Sequence, residues 1–263
     1  MHTNYCKDLK SVYLHIMNAF DHDTVVPYKD SVLSKKKQVE SMFDNIAGKY
    51  DFLNRFLSAG IDVRWRKKAL SQLKANAPKK LLDVATGTAD VAILAQAFLN
   101  TEQIIGIDIS DGMMEVGRKK IHEAGLSKFI TLQNGDSEDI QFADNTFDAV
   151  TVSFGVRNFQ DLEKGLSEIN RVLKPSGKLV VLEFSKPSHP IIKVIYSLYM
   201  KVITPNLGKI FSKNKQAYAY LDESIQKFPE GQKFIDVLER VGFKNNYSKK
   251  LSFGICSIYC GEK

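Results

Sequence analysis

The sequence predicts an α/β fold, a seven-stranded, mostly parallel sheet with helices on both faces. Three observations predict it. Short apolar, β-branched runs alternate with helix-period segments from Leu81 to Val241, the pattern of a doubly wound sheet. Small or polar residues follow several of these runs, at the edge where such sheets bind ligands. Two closing runs, Phe243 to Leu251 and Ile255 to Tyr259, flank Ser252-Phe253-Gly254 and read as an antiparallel C-terminal hairpin.

Residues 1–33 show little periodicity and read as a poorly packed extension without an assigned role. Val12 to Met17 reads as a short helix within it. Asp21-His22-Asp23 contains metal-ligating residue types. Adjacent residues rarely converge on one ion and no second cluster joins them, so no metal site is expected. One domain then covers residues 34–263. Val39, Met42, Phe43, Ile46 and Tyr50 recur at helical spacing, and Gly48 weakens that helix near its end. A second helix runs from Trp65 to Ala75, and Pro78 stops it. Both lie within residues 34–77 and precede the sheet, as an N-terminal helical lid over the ligand crevice.

Leu81 to Asp90 joins an apolar strand to a turn of small residues, and Val91 to Phe98 continues as a helix. Gln103 to Asp108, Lys128 to Leu132, Phe147 to Val152 and Lys178 to Phe184 are the next strands. Between them, Asp111 to His122 is a helix with Ser110 as its N-cap. Leu162 to Leu173 is another, ended by Lys174-Pro175-Ser176-Gly177. Residues 187–230 break the alternation. His189 to Ile203 is apolar and aromatic, and Pro205 and Gly208 interrupt it. A helix from Gly231 to Val241 resumes the pattern.

The net charge of +7 and pI near 9.1 favour anionic partners, either nucleic acid or lipid headgroups. Lys and Arg are scattered without interleaved exposed aromatics, and no Asn-Pro-Pro-Tyr motif is present, so nucleic acid is not expected. Cys6, Cys256 and Cys260 are too few and scattered for a zinc site or disulfide framework, which suits free thiols in a reducing compartment. No apolar run reaches the roughly 18 residues of a membrane span, and the N-terminus lacks the apolar segment of a secretory signal. A cytoplasmic protein is expected.

Three polar signals fall at carboxyl ends of strands: Thr86-Gly87-Thr88, Asp108 and Asp136-Ser137. An acid about 20 residues beyond the first turn suits a ribose diol. Dinucleotides and S-adenosylmethionine share that need. The first turn separates them. A pyrophosphate needs a glycine-rich turn, and only Gly87 is present; a methionine tail needs polar backbone and hydroxyl groups. Asp136 can accept the adenine amino group. Together the three signals favour S-adenosyl-L-methionine as cofactor.

From about Val39 onward the sequence resembles class I S-adenosylmethionine-dependent methyltransferases, with their Rossmann-like sheet. More closely it resembles the ubiquinone/menaquinone biosynthesis C-methyltransferase family. The resemblance rests on Tyr50-Asp51…Asn54…Ser58-Ala59-Gly60…Trp65, on Ser153-Phe154-Gly155-Val156-Arg157-Asn158, and on Arg171-Val172-Leu173-Lys174-Pro175…Leu182-Glu183-Phe184-Ser185-Lys186-Pro187. Tyr218…Tyr220-Leu221-Asp222-Glu223-Ser224-Ile225…Phe228-Pro229 completes it. It implies cofactor contacts at Thr88, Asp108, Asp136, Ser137 and Ser153. Ala89 replaces a glycine common in the first turn, and Ser176 replaces one in the Lys-Pro-Gly-Gly turn.

The implied reaction is methyl transfer to a ring carbon of a polyprenylated quinol. Arg157 and Asn158 are the expected catalytic residues. Arg157 would stabilise a developing phenolate, or else pair with a carboxylate and pin its loop. Asn158 would orient the ring oxygen or a water. Tyr50 would close the site, or else serve as a core aromatic. Asp51 or a water is open as the base, and Glu183 is read as structural. The insertion at 187–230, with six Lys against two acids between Ser188 and Lys227, suits a cap over a prenyl tail and peripheral contact with the inner face of the cytoplasmic membrane. A homodimer is left open. The Gly87-Thr88-Ala89-Asp90 turn resembles the variant turn of menaquinone-only members of that family, a resemblance that implies demethylmenaquinol as acceptor. The alternatives are the ubiquinone precursor 2-polyprenyl-6-methoxy-1,4-benzoquinol or another lipid-like molecule.

Overall fold

The computed structural model describes residues 20–58, 60–187, 189–194, 198 and 215–263. The expected helix at Val12 to Met17, Cys6 and most of the His189 to Ile203 run lie outside the described residues. Seven strands form one sheet in the order β3-β2-β1-β4-β5-β7-β6. They are β1 (Lys80–Val84), β2 (Gln103–Asp108), β3 (Ile130–Asn134), β4 (Phe147–Ser153), β5 (Leu173–Phe184), β6 (Lys244–Leu251) and β7 (Cys256–Glu262). The first five pair in parallel. β7 pairs antiparallel with both β5 and β6. The strand order reverses between β1 and β4, which opens a crevice at their carboxyl ends.

The helices that frame the sheet are, among the described residues, α1 (Lys35–Leu57), α2 (Asp62–Leu70), α3 (Asp90–Leu99), α4 (Asp111–Glu123), α5 (Leu162–Val172), α6 (Lys215–Lys227) and α7 (Gln232–Arg240). Alternate strand residues point to opposite faces. Leu82, Val84, Val150 and Val152 therefore meet Leu166 and Ile169 of α5 and Phe234 and Leu238 of α7 on one face. Leu81, Ala149 and Val180 meet Trp65 and Ala69 of α2, Ala92 of α3 and Met114 of α4 on the other. Ser34, Ser110 and Asp161 cap α1, α4 and α5 with side-chain oxygens, satisfying backbone N–H groups that lack helical partners.

Four expectations shift. α1 runs through Gly48 to Leu57. The glycine costs about 1 kcal/mol in a helix, and the half beyond it is anchored by Asp51 and Arg55 to the sheet side. The second helix starts earlier, at Asp62, and is regular only to Leu70; a 3-10 turn covers Ser71–Asn76. β3 begins two residues later than read, because Phe129 N–H turns back to Leu126 O, and Ile130 starts the pairing with Ile104. β5 begins directly at Leu173, with Ser176 at φ 63° inside it.

The N-terminal region also differs. Residues 20–28 are packed rather than trailing. His22 is fully buried, with its ring 6.0 Å from those of Phe20 and Phe228. Val25 joins Val39 and Met42 of α1 and Tyr220 of α6 in a third apolar cluster. Lys35 Nζ donates to His22 O at 2.7 Å. The lid is thus α1 together with the segment before it.

Candidate active site

At the β1/β4 crevice lies a cleft open to solvent, lined by Asp108, Asp136, Ser137, Ser153, Tyr50 and Asn158 among others. Six of the eight residues expected in the site thus come together, from positions between Tyr50 and Asn158. Thr88 and Arg157 are placed elsewhere.

The geometry begins with Asp108, the last residue of β2. Its Oδ2 accepts Gly87 N–H at 2.8 Å, and its Oδ1 accepts Ser110 N–H at 2.9 Å. The Ile109 backbone also donates to this carboxylate, which with about four lone-pair sites keeps room for a ligand hydroxyl. Burial pushes its carboxyl up to about 6, and the backbone donors oppose that rise. Gly87 sits at φ +55°, and a Cβ there would lie 3.2 Å from Met113 Cε. The backbone can therefore approach a ligand closely. Beneath the turn, Asp83 accepts Thr86 Oγ1 at 2.7 Å and Thr151 Oγ1 at 2.5 Å, which braces β1 against β4.

Asp136 follows β3. Its Oδ1 accepts Glu138 N–H at 2.9 Å, and its Oδ2 accepts Lys36 Nζ. Lys36 also reaches Glu138 Oε2 at 2.9 Å. Glu138 in turn accepts Gln160 N–H at 2.8 Å and Asp161 N–H at 3.0 Å. These bonds join the loop after β3 to the segment leading into α5.

The lid helix α1 crosses all three strand-end loops. Lys36 meets Asp136. Asp44 Oδ1 accepts Ser110 Oγ at 2.6 Å and Gly112 N–H at 2.9 Å. Asp51 accepts Thr88 Oγ1 at 2.5 Å and Lys120 Nζ at 2.7 Å. At 3.6 residues per turn, positions 36, 44 and 51 share one helix face. Thr88 is therefore buried and engaged with the lid, outside the cavity lining. Asp51 is equally occupied, so it does not face the cavity as a free base.

Arg157 is buried, and its Nη1 donates to Glu183 Oε1 at 2.9 Å and to Phe154 O. Burial pushes the Glu183 carboxyl up, against the pull of Arg157. This is the loop-pinning pair, and it fixes the Ser153–Asn158 turn after β4. Asn158 stays on the cavity wall. Its Oδ1 lies 3.0 Å from Tyr220 OH. Tyr50 lies edge-on to Phe43, with centroids 5.8 Å apart, and burial raises its phenol. Phe154, Phe159 and Phe43 complete an apolar wall.

Sequence reasoning missed Lys36, Asp44 and Tyr220. Lys36 stands in Ser34-Lys35-Lys36-Lys37, which looks like an ordinary solvated run. Asp44 carries no local signal. Tyr220 stands in a family motif and within the 187–230 stretch read as a cap, without a role of its own.

Backbone-held carboxylates after β2 and β3, a close-approach turn after β1 and a parallel sheet of this order define a class I S-adenosylmethionine-dependent methyltransferase. Solved structures agree on the fold. An S-adenosylmethionine-dependent methyltransferase from Thermotoga maritima superposes with TM-score 0.60 at 18% identity, over 85% of this chain and 99% of that one. The [4+2]-cyclase SpnF superposes with TM-score 0.59 at 17% identity, over 87% and 96%. A cyclase on the same scaffold shows that fold alone does not fix the reaction.

The model of the ubiE/COQ5 methyltransferase family matches residues 31–263, and the chain belongs to that family. The demethylmenaquinone methyltransferase of Bacteroides fragilis is 49% identical over 244 residues, 93% of this chain and 99% of that protein. The ubiquinone/menaquinone biosynthesis C-methyltransferase of Geotalea daltonii is 44% identical over 230 residues, 87% and 97%.

Proposed function

We propose that the chain methylates a ring carbon of a polyprenylated demethylmenaquinol, with S-adenosylmethionine as donor. The observation that carries this reading is a single cavity with two unlike ends. Backbone-held carboxylates stand at one end, and an amide among aromatic rings at the other. The 49% identity to a protein named demethylmenaquinone methyltransferase supports the acceptor.

The residues present fit the donor. Asp108 offers two acceptor oxygens for a ribose diol. Asp136, or Ser137 beside it, is assigned to the adenine edge. Ser153, at the end of β4, and the turn at Gly87 are assigned to the methionine portion, with Thr88 acting through the lid. When bound, the donor supplies an electrophilic methyl group on a sulfonium.

The chain's own task is to make a ring carbon nucleophilic. Losing the proton from a ring hydroxyl raises electron density on the carbon beside it. We assign Asn158, on the wall after β4, to donate to that oxygen. Tyr50, Phe43 and Phe154 exclude water and hold the ring flat in near-attack geometry. Arg157 holds the loop that carries Asn158.

Beyond the site, Ile191, Val194 and Leu198 are each more than 60% exposed at helical spacing. We assign them, with the nearby lysines, to contact with an anionic membrane where the prenyl tail resides. No helix among the described residues is long and apolar enough to cross a membrane.

The test supplies purified protein and methyl-labelled S-adenosylmethionine with two quinols, demethylmenaquinol and the demethylated ubiquinone precursor. Label is expected in the first product when the ring is reduced and not when it is oxidised. Label in neither product overturns the reading, and label chiefly in the second reassigns the acceptor.

A further inference from the structure

Tyr220 has no task in the reading above. Its ring is 3% exposed. Val25 from the N-terminal segment, Val39 and Met42 from α1, and its own helix α6 enclose it. A ring packed from three elements has little rotamer freedom, so its hydroxyl is held in place. That hydroxyl lies 3.0 Å from Asn158 Oδ1. Burial pushes the phenol upward, so it keeps its proton and donates. The charges bearing on it, Arg157 and Glu183, are paired with each other.

Two contacts together orient the Asn158 amide: Tyr220 OH faces Oδ1, and the carbonyl of Phe154, which can only accept, faces Nδ2. With Oδ1 engaged, what the side chain can offer is Nδ2. One N–H of Nδ2 points toward Phe154 O at 3.5 Å, a long and weak contact. The other N–H has no partner among the described residues, and Asn158 lines the cavity. An amide free to turn would present its oxygen half of the time, and an oxygen there would repel a phenolate.

We propose that Tyr220 is a positioning residue for methyl transfer: it holds Asn158 so that Nδ2 donates to the acceptor's ring oxygen as that oxygen ionises. The inference rests on the quinol reading. The hydroxyl proton passes to water. Neither the amide nor the buried phenol takes it up. Asn158 raises the ionised fraction of the bound acceptor, and Tyr220 acts only through Asn158.

The experiment measures turnover against pH, and S-adenosylmethionine affinity by calorimetry, for the full chain and for Tyr220→Phe. Phenylalanine keeps the ring and removes only the donor. Donor affinity is expected to stay unchanged, kcat near neutral pH to fall about tenfold, and the pH profile to move to higher pH. Adding Tyr220→Phe to Asn158→Ala is expected to change nothing further. A Tyr220→Phe profile that keeps its wild-type midpoint overturns the inference, as do effects that multiply in the double variant. Asn158→Asp provides a second arm, with Tyr220 left in place. It keeps an acceptor for Tyr220, removes the Nδ2 donor and adds a negative charge beside the ring oxygen, so a larger alkaline displacement than in Tyr220→Phe is expected, and an unmoved profile again overturns the inference. If the wild-type chain transfers no methyl group to either quinol, the functional reading fails instead.

Discussion

The two ends of the cavity are built by opposite means. At the donor end, carboxylates sit at the tips of strands and are aimed by backbone N–H groups one to three residues or one strand away. Asp108 is held by Gly87 and Ser110, and Asp136 by Glu138. At the acceptor end, Tyr50, Asn158 and Tyr220 come from three separate elements, and side chains hold side chains. The sheet and its strand-end loops set the donor end's carboxylates, and α1 then clamps those loops through Lys36, Asp44 and Asp51. The acceptor end exists only when α1, the turn after β4 and α6 have all docked. One scaffold can thus keep its methyl donor while its acceptor changes.

The comparison breaks first at Asp108. Asp108→Ala removes a charged acceptor and leaves Gly87 and Ser110 N–H groups unmatched. Calorimetry should show S-adenosylmethionine affinity weakened by about 3 kcal/mol, the upper range for a buried charged hydrogen-bonding group. A loss confined to kcat would mean that the carboxylate serves the acceptor end.

Asn158→Ala tests the other end. Removing one preorganised donor to a developing oxyanion typically costs about 100-fold in kcat, about 2.7 kcal/mol. Steady-state kinetics on the labelled quinol reads it directly. An unchanged kcat would leave the oxyanion to another group.

The lid's N-terminal segment sharpens the contrast through pH. His22 is buried, and desolvation, with Lys35 nearby, lowers its pKa to about 3. The folded chain therefore favours neutral imidazole. That stability is complete above about 6.5 and is lost as the pH falls from there toward 3. Asp23, whose carboxyl lies 3.2 Å from His22 Nε2 and is pushed up to about 6 by burial, gains a proton over the same range and offsets part of the loss. Thermal melts at pH 7 and 5 should converge in His22→Phe relative to wild type. An equal drop in both proteins would place the acid sensitivity elsewhere.

The smallest effect belongs to the first turn. Ala89 sits at φ 62°, a left-handed conformation that costs an alanine about 1 kcal/mol. Its methyl is fully buried, and losing it offsets part of the relief. Ala89→Gly should stabilise the chain by about 0.5 kcal/mol in urea melts. Marked destabilisation would mean that packing against α4 outweighs the backbone term.

The same contrast explains what the sequence could disclose. Asp108 and Asp136 announce themselves because a strand, its terminal acid and the next helix cap are contiguous in sequence. The periodicities of Leu81-Leu82 and of α5 placed helices on both faces correctly for the same reason. Arg157 was legible as belonging to the right turn. Whether it faced a ligand or Glu183 depended on a partner 26 residues away. Thr88 was legible as part of the donor turn, but Asp51, 37 residues earlier, engages its hydroxyl. Residues 20–28 read as loose because their burial depends on α6, some 200 residues later. Gly48 misled in the same way, since propensity is local and the lid's anchors are not.

The division of the cavity is tested most directly by titrating S-adenosylmethionine calorimetrically into Asn158→Ala and Asp108→Ala side by side with the wild type. The account predicts wild-type affinity in Asn158→Ala and a loss of at least about 100-fold in Asp108→Ala. Comparable losses in both variants would contradict it, because donor and acceptor ends would then be one site rather than two.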